Sequence, residues 1–409
     1  MSAIIKTHPL FFSTAADVLV EIFSKGIYAD KVLDRKFKSL KKLGSRDRRF
    51  ISDLVYESIR WIRKLSYGLG MEDFQSLSAD EYYKILAYQF FQKEKRLPEF
   101  LQRFAADFAA ADVKLEGCME TAILGSAPDW LDKIGKDYFA DQWLPILKSL
   151  NQIGNVDLRV NTLKIQKKEL IRKLTEADIP VEEIPDSAAG LTLKFRKNIF
   201  SSSLFQNGFF EVQDRASQLV GPLLELQKGM TLVDACAGAG GKSLHAAALL
   251  ENSGSIFSFD VHQWKLDELN SRAARNGVKN IKTKLISEAL PIEFQNRADR
   301  LLLDVPCSGS GTFRRQPDAK WKLTKGDLDQ VIQLQKEILN RNEKILKVGG
   351  MMVYATCSFL PLENQLQIES WLQQPNQMGR WQKLKEIKVL PSEGRGDGFY
   401  AVQLMKQKS

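Results

Sequence analysis

The most restrictive feature of this 409-residue sequence is an alternation, in its last third, of short apolar runs with helix-length amphipathic stretches. Strand, helix and strand in that rhythm predict a parallel sheet covered on both faces. The helical stretches are expected over His262–Arg275 and Leu328–Lys347, with Gly349-Gly350 ending the second. Ligands bind at the carboxyl ends of such strands, so function is expected there. The apolar runs are Thr231–Ala235, Ser255–Phe259, Leu301–Leu303 and Met351–Tyr354.

Residues from about 10 to 125 carry a different pattern, with apolar side chains spaced by three or four, as in Ala16–Phe23 and Phe50–Ile62. This spacing predicts a helical domain. A basic run from Lys36 to Arg49 lies between these two helices. A solvated helix face is its ordinary explanation, and contact with nucleic acid is the alternative. The net charge of +9 is compatible with a polyanionic partner but does not require one.

After the turn-prone residues Gly125–Pro128, the middle of the chain combines strand-like and helix-like patterns. Strand-like runs at Val156–Val160 and Leu191–Phe195 flank a helix-like segment, Lys167–Glu176, and a further helix is expected over Gln213–Leu226. A chain of this length is expected to hold two or three domains. We expect three: a helical domain over 1–125, an α+β subdomain over 126–228 and an α/β domain over 229–409.

The four cysteines, Cys118, Cys236, Cys307 and Cys357, are too few and too scattered for a disulfide scaffold. None has CxxC spacing, and the three histidines show no ligand spacing, so no metal is expected. The sequence lacks a signal-peptide pattern and an apolar stretch long enough to span a membrane. We therefore expect a soluble, reduced, cytoplasmic protein with no membrane partner.

The first predicted strand runs into a glycine-rich turn, Asp234-Ala-Cys-Ala-Gly-Ala-Gly-Gly-Lys-Ser243, that opens a helix. Glycine lets the backbone approach a ligand closely, and a helix N-terminus offers free N–H groups to an anionic group. A P-loop would need glycine at Cys236, and a dinucleotide fingerprint would need it at Ser243. A loop for S-adenosylmethionine and a purely structural turn both stay open.

The next strand ends in Asp260. A carboxylate at this place can accept both ribose hydroxyls of an adenosine, and it can equally cap the following helix. The neighbouring glycine-rich turn favours the ribose contact.

Two further strand ends carry thiols. Asp304-Val-Pro-Cys307 follows one buried run, and Tyr354-Ala-Thr-Cys357 follows another. A lone buried cysteine is usually a small hydrophobic residue, but chance poorly explains three of four cysteines at adjacent strand ends.

Two thiols and a carboxylate facing a methyl donor suit methylation of cytosine at C5. A thiolate adding to C6 makes C5 nucleophilic, and an acid near N3 and the 4-amino group stabilises the developing charge. The proton on C5 is then removed and the thiol eliminated, a step that a second thiol or water can assist. Residue chemistry alone does not rank the two thiols.

These motifs resemble the RsmB/Sun/NOP family of RNA cytosine-5 methyltransferases. The long segment from Asp304 to Asp318 is the most specific part of the resemblance. The helical N-terminus, with Arg46–Phe50 and Leu54–Tyr56, is similar to a NusB-type RNA-binding domain, as in the bacterial RsmB branch. Other similar pieces are Asp234–Lys242, Tyr354–Ser358, Arg159–Thr162 (the start of the RNA-binding subdomain), Gln213–Ser217 and Asp397–Tyr400.

The resemblance implies a Rossmann-like class I methyltransferase domain, preceded by an all-α NusB-like domain and a small α+β RNA-binding subdomain. It implies that Cys357 is the nucleophile, that Cys307 assists its release and that Asp304 contacts the base edge. The implied partner is RNA, 16S rRNA in particular, bound by a monomer. The implied S-adenosylmethionine-binding residues are Cys236, Ala237, Gly238, Ala239, Gly240, Gly241, Lys242, Asp260, Ser287 and Asp304.

The sequence departs from the family pattern twice. Gly238-Ala239 stand where the family usually has Ala-Pro, and Ser287 stands where it has Asp or Asn for the adenine amine. Arg314 and Arg315 are expected to contact phosphate or base, with a loop salt bridge as the alternative.

Two rival functions stay open beside RNA methylation. One is an RNA-binding assembly or antitermination factor with an idle methyltransferase domain, and the other is a DNA cytosine methyltransferase that uses Cys307. Intact Asp304, Cys307 and Cys357 argue against the first, because a protein that only binds RNA needs no aligned thiols.

Overall fold

The computed structural model describes residues 7–185, 187–286, 292–392 and 396–408. The chain divides into two compact units. One contains the residues up to Gln152 together with Phe313–Lys325, and the other contains Ile153–Thr312 and the chain from Gly326 onward. None of the described helices combines the length and the apolar character needed to span a bilayer.

The first unit is helical, as the apolar spacing predicts. Phe12 and Phe50 pack their rings against Phe90 in its core. Ser78 and Glu81 cap one helix reciprocally: each side chain accepts a hydrogen bond from the other's backbone N–H. Part of the basic run lies on a separate helix, Ala29–Ser39, which the apolar spacing did not predict. The helices are Pro9–Lys25, Ala29–Ser39, Ser45–Gly68, Ala79–Glu94, Ala105–Glu116, Thr121–Leu124, Asp129–Phe139, Trp143–Leu150 and Ala319–Lys322.

The later segment Phe313–Lys325 is an integral part of this helical unit. The carboxylate of Asp318 accepts a hydrogen bond from the backbone N–H of Ala29 at 2.9 Å. The indole N–H of Trp321 donates to the carbonyl oxygen of Ile59 at 2.9 Å. The segment is thus held by specific polar contacts in addition to its apolar packing.

The two arginines of this segment have different environments. Arg314 is 4% exposed and donates from Nη2 to Ser149 Oγ at 3.0 Å. Its burial contradicts the expectation that it contacts RNA, because the guanidinium is used inside the unit. Arg315 is half-buried, so its role in RNA contact stays a prediction.

The second unit begins with a small antiparallel sheet in the order β2-β3-β1-β4. The helix Lys167–Glu176 has the predicted bounds. β2 and β4 were not predicted, because three residues are too few for a recognisable alternation. The helix expected from Gln213 is instead two short helices, Arg215–Gln218 and Val220–Leu223. The strands are β1 (Asp157–Val160), β2 (Val181–Glu183), β3 (Gly190–Leu193) and β4 (Phe210–Val212), and Ser203–Gln206 is a further short helix.

The larger sheet has seven strands: β5 (Thr231–Asp234), β6 (Ser255–Asp260), β7 (Ile281–Leu285), β8 (Ala298–Asp304), β9 (Leu346–Thr356), β10 (Trp381–Val389) and β11 (Phe399–Lys406). Their order is β10-β11-β9-β8-β5-β6-β7. β5 to β9 are parallel to one another, and β11 is antiparallel to both β9 and β10. The expected Rossmann-like arrangement is confirmed. The helices that accompany this sheet are Gly241–Leu249, Gln263–Asn276, Lys325–Asn342 and Gln365–Leu372.

One helix boundary was predicted wrongly. The helix expected to reach Lys347 ends at Asn342, and Gly349-Gly350 lie inside β9. The register of β9 against β8 shifts here, and Gly349 has a φ of +79°. The two glycines therefore accommodate an irregularity in a strand rather than the end of a helix.

Candidate active site

The carboxyl ends of β5, β6, β8 and β9 bring together most of the residues singled out from the sequence. Asp234, Asp260 and Asp304 are the last residues of β5, β6 and β8, and Cys357 follows β9 directly. Because these strands are parallel, their ends share one edge of the sheet. Ser287 lies outside the described residues.

The glycine loop, Ala235–Gly240, connects β5 to the helix that begins at Gly241 and is held largely through its backbone. The N–H of Gly238 donates to Asp260 Oδ2 at 2.9 Å. Gly238 and Gly240 have φ values of +54° and +82°, which glycine adopts without strain. A Cβ on Gly240 would lie 2.4 Å from Leu269 Cγ, so this position has no room for a side chain. Cys236, Ala237 and Ala239 are the remaining sequence-predicted residues of the loop.

Two arginines bind carbonyl oxygens of the loop and of the helix it opens. Arg159 Nη1 donates to the carbonyl of Gly241 at 2.7 Å, and Arg272 Nη1 donates to that of Ala239 at 2.7 Å. Arg159 is 3% exposed, and Arg272 also pairs with Glu211 at 2.8 Å. Sequence reasoning assigned Arg159 only to the start of the RNA-binding subdomain and missed its contact beside the glycine loop.

Asp260 is fixed by two backbone donors. Its Oδ2 accepts from Gly238, and its Oδ1 accepts from the N–H of His262 at 2.9 Å. The N-cap of the following helix is His262, so Asp260 is not that cap. The carboxylate is therefore oriented by the loop and the helix start on either side of it.

Lys242 and Asp304 form an ion pair, with Lys242 Nζ 2.5 Å from Asp304 Oδ2. Burial alone would lower the pKa of Lys242, but the charge and hydrogen bond of Asp304 outweigh it and raise the pKa. The pair links the helix that follows the glycine loop to the end of β8. A proton on Lys242 is thus stabilised beside the strand-end carboxylate.

Asp234 is a buried acid that sequence reasoning did not place in the site. Its Oδ2 accepts from Ser243 Oγ at 2.6 Å, and its Oδ1 has no hydrogen-bond partner among the described residues. Burial raises the pKa of Asp234 to about 7, with the Asp304 charge adding to the effect. Its place as the last residue of β5, at the start of the glycine loop, was the available signal.

Cys307 and Cys357 face each other with 3.1 Å between their Sγ atoms, and both are free thiols. We call Pro306–Gly311 and Cys357–Asn364 the thiol loops. The hydrogen bond to Cys357, together with burial, raises the pKa of Cys307 well above its ordinary value. The raised pKa favours the protonated form of Cys307, while either sulfur of the pair can be the hydrogen-bond donor.

Cys236 lies in the glycine loop as a third free thiol. Burial, followed by the charges of Asp234 and Asp304, raises its pKa. Among the described residues no group of three or more His, Cys, Asp or Glu side chains could hold a metal ion.

Glu363 is the second residue that sequence reasoning missed. It is fully buried and contacts both thiol loops. It belongs to no recognised motif, and the available signal was a carboxylate six positions after Cys357.

Comparison with known proteins places this architecture in one family. Residues 222–405 match the family model described as 16S rRNA methyltransferase RsmB/F, and residues 127–199 match the ferredoxin-like domain of RsmF/B-like methyltransferases. The probable ribosomal RNA small subunit methyltransferase B of Synechocystis is 32% identical over 301 residues, covering 69% of this chain and 67% of that protein. The chain belongs to the RsmB/F family.

Other relatives agree with this assignment. Ribosomal RNA small subunit methyltransferase B of Escherichia coli strain 536 is 32% identical over 296 residues, covering 68% of this chain and 66% of that protein. The solved structure titled PH0851 covers 98% of this chain and 100% of its own, with a TM-score of 0.76 and 23% identity. NSun6 from Pyrococcus horikoshii covers 70% of this chain and 100% of its own, with a TM-score of 0.63 and 20% identity. The two structures show the fold.

Membership of the RsmB/F family makes this chain an S-adenosylmethionine-dependent rRNA methyltransferase. The expected succession of a helical region, a small α+β subdomain and a Rossmann-like methyltransferase domain is confirmed, and the α+β part matches a ferredoxin-like domain.

Proposed function

We propose that this protein methylates C5 of a cytosine in 16S rRNA through a covalent bond between Cys357 and C6 of the base. The observation that carries the proposal is the pair of free thiols, 3.1 Å apart, at strand ends next to Asp304. A reaction that adds a thiolate and later eliminates it needs one thiol as nucleophile and can use a second to assist the release, whereas RNA binding alone uses neither. The small-subunit rRNA named for the relatives supports the choice of substrate.

The residues at the strand ends fit S-adenosylmethionine. The glycine loop leaves backbone exposed at Gly238, where a Cβ would meet nothing within 4 Å. Asp234 Oδ1 is buried without a partner, which suits a ligand that carries a positive group. We assign the cofactor to the glycine loop, Gly241, Lys242, Asp260 and Asp304, with Ser287 at the adenine. When bound, the cofactor supplies the methyl group.

The two thiols have different roles in the reaction with the base. Cys357 gives up its proton to water and adds to C6 as the thiolate, so that C5 gains the electron density that a methyl acceptor needs. Asp304 lies at the base edge, where it stabilises charge developing at N3 and the 4-amino group. Once C5 carries its methyl group, water takes the C5 proton, the electron pair of that C–H bond forms the C5–C6 double bond, and the bond between Cys357 Sγ and C6 breaks to give back the thiolate. Cys307 assists this release.

The remaining domains would hold the RNA. We assign this task to the NusB-like helical domain expected over 1–125, with its basic run, and to the α+β subdomain expected over 126–228, although the helical unit continues to Gln152 and the ferredoxin-like match covers 127–199. The target base must leave its stack, at a cost of a few kcal/mol that is lowest in loops or unfolded RNA. One copy in the cytoplasm suffices, because both thiols, the glycine loop and the carboxylates come from a single chain.

The test is a covalent adduct in two cysteine variants. Purified Cys307→Ala and Cys357→Ala proteins are mixed with unmodified 16S rRNA and S-adenosylmethionine, and denaturing gels report protein joined to RNA. Cys307→Ala should accumulate the adduct, because the bond forms but is not released. Cys357→Ala should form none and should lose at least about 10³-fold in methylation rate. Cys118→Ala, which removes a buried thiol of the helical unit, is the control and should behave as wild type.

Two other results would contradict the proposal. An adduct found only with Cys357→Ala would exchange the roles of the thiols and revive the DNA-type mechanism. No adduct with either variant, and no methyl transfer by the wild type, would reject 16S rRNA methylation and favour an idle methyltransferase domain.

A further inference from the structure

Glu363 lies at the centre of a hydrogen-bond network that joins the two thiol loops. Its side chain is fully buried. On one loop, Oε1 accepts from the backbone N–H of Ser308 at 2.7 Å, and Oε2 accepts from Ser308 Oγ at 2.5 Å. On the other, Oε2 accepts from Ser358 Oγ at 2.5 Å. One carboxylate therefore holds the residue directly after Cys307 and the residue directly after Cys357.

A fourth donor fixes the carboxylate itself. Gln335 Nε2 donates to Glu363 Oε1 at 3.0 Å and to the carbonyl of Pro306 at 3.0 Å. The backbone carbonyl of Glu363 accepts from the hydroxyl of Tyr354 at 2.8 Å. Four donors on two oxygens use the full capacity of a carboxylate, and neither an amide nor an apolar side chain could accept them all. The arrangement is therefore specific for an acid.

The negative charge of Glu363 also acts on the thiols. It contributes to raising the pKa of Cys307, after the hydrogen bond to Cys357 and burial. A carboxylate near Cys307 favours the protonated form of that thiol, so Glu363 does not serve to generate a Cys307 thiolate. The carboxylate of Glu363 fixes the positions of the two thiol loops, and its negative charge helps to keep Cys307 protonated.

We propose that Glu363 is the positioning residue of this site, which holds the two thiol loops in the register that places Cys307 Sγ against Cys357 Sγ. Glu363 touches neither sulfur and acts through Ser308 and Ser358. The inference rests on the proposed function, because it specifies how the nucleophile and the release aid are kept together. A displacement of about 1 Å between reacting groups can lower a rate about 10²-fold.

The main test replaces Glu363 with glutamine and compares it with an equally buried acid. Glu363→Gln keeps the shape but turns an amide N–H₂ toward groups that donate. Glu343→Gln is the matched control: Glu343 is 3% exposed and pairs with Arg380 and Lys406 rather than with the thiol loops. Ser358→Ala removes one tether without disturbing the acid, and it covers the case in which Glu363→Gln does not fold.

The first readout needs no RNA. Diamide oxidises two close thiols to a disulfide: the thiols lose two protons and two electrons, and the azo group of diamide becomes a hydrazine. We expect Glu363→Gln to form the Cys307–Cys357 disulfide about tenfold more slowly than Glu343→Gln, and Ser358→Ala to lie between them. Loss of the Glu363 charge would by itself speed the reaction by favouring thiolate, so a slower reaction reports geometry.

The second readout uses methylation. Glu363→Gln should lower kcat about 10²-fold, with the KM for RNA and the affinity for S-adenosylhomocysteine within threefold of the control. In the Cys307→Ala background it should also lower the yield of RNA adduct.

Wild-type rates of disulfide formation and methylation in Glu363→Gln would overturn the proposal. Equal losses of rate, cofactor affinity and melting temperature in Glu363→Gln and Glu343→Gln would overturn it too, by reducing Glu363 to a support of the fold. If the wild type methylates no RNA, the proposed function fails, while the disulfide readout still decides the role of Glu363.

Discussion

The glycine loop and the thiol loops lie at the same edge of the sheet but are held in different ways. The glycine loop is held through its backbone, by Asp260 on an N–H and by Arg272 on a carbonyl. The thiol loops are held largely through side chains, and Glu363 binds both. A backbone contact survives most changes of residue at that position, whereas a side-chain contact does not.

This difference explains how the glycine loop accommodates its departure from the family pattern. Gly238-Ala239 replace the usual Ala-Pro in a turn whose hydrogen bonds come from the main chain, so the turn persists. The residues of the thiol loops that match the pattern, such as Ser308 and Ser358, each donate through a hydroxyl. Substitutions should therefore be tolerated unequally at the two places.

The largest expected effect on stability comes from a pair of glycine substitutions, one in each kind of loop. A Cβ on Gly311, in the first thiol loop, would lie 1.8 Å from the carbonyl oxygen of Gly398, so Gly311→Ala forces two backbones apart. We expect a loss of about 5 kcal/mol in the free energy of unfolding, or no folded protein. Gly238→Ala meets no atom and should cost only about 1 kcal/mol, from its positive φ.

Urea unfolding of both variants measures these losses. Equal effects at Gly311 and Gly238 would show that these two positions do not differ in the space they leave for a side chain.

The second prediction concerns Asp234, the buried acid where the glycine loop begins. Burial raises its pKa to about 7, from an ordinary value near 4 in the unfolded chain. The folded state therefore holds this proton more tightly, and the stability it contributes is full below about pH 4 and is lost as pH rises to about 7. The wild type should lose roughly 4 kcal/mol over this window relative to Asp234→Asn.

Unfolding free energies at several pH values between 4 and 8 provide the measurement. Parallel curves for the wild type and Asp234→Asn would show that the pKa of Asp234 is not raised.

The smallest expected effect comes from Arg272, which holds the glycine loop without belonging to it. Arg272→Ala removes the hydrogen bond to the Ala239 carbonyl, while Arg275 still pairs with Glu211. We expect about tenfold weaker binding of S-adenosylhomocysteine by calorimetry, with kcat at saturating cofactor unchanged. Arg172→Ala, which removes an exposed pair with Glu176, is the control. Unchanged affinity in Arg272→Ala would mean that the glycine loop does not depend on the hydrogen bond from Arg272.

The sequence was sufficient for the parallel sheet, because four strands carry apolar runs and each relevant polar residue follows one. It was insufficient at Gly349-Gly350, since two glycines after a helical pattern indicate a helix end equally well as an irregular strand. It also missed β2 and β4, which are too short to alternate.

For the site, the sequence pattern placed Asp304, Cys307 and Cys357 at adjacent strand ends, but only the family resemblance, not residue chemistry, ranked the two thiols. The distinction depends on the burial and the neighbouring groups that raise the pKa of Cys307, and these are properties of the folded chain. Glu363 escaped notice for the same reason: a single acid acquires its role only when two distant loops meet around it.

The place of Phe313–Lys325 in the helical unit has a consequence for biosynthesis. Asp318 and Trp321 hold Ala29 and Ile59, yet they leave the ribosome more than 250 residues later in the chain. The helices synthesised first lack the contacts of this segment until it has been made. The helical unit therefore cannot complete its fold until Ile153–Thr312 has been synthesised. Translation order and order of completion are thus uncoupled in this protein, and a chain released before Lys325 would expose the surface that this segment covers.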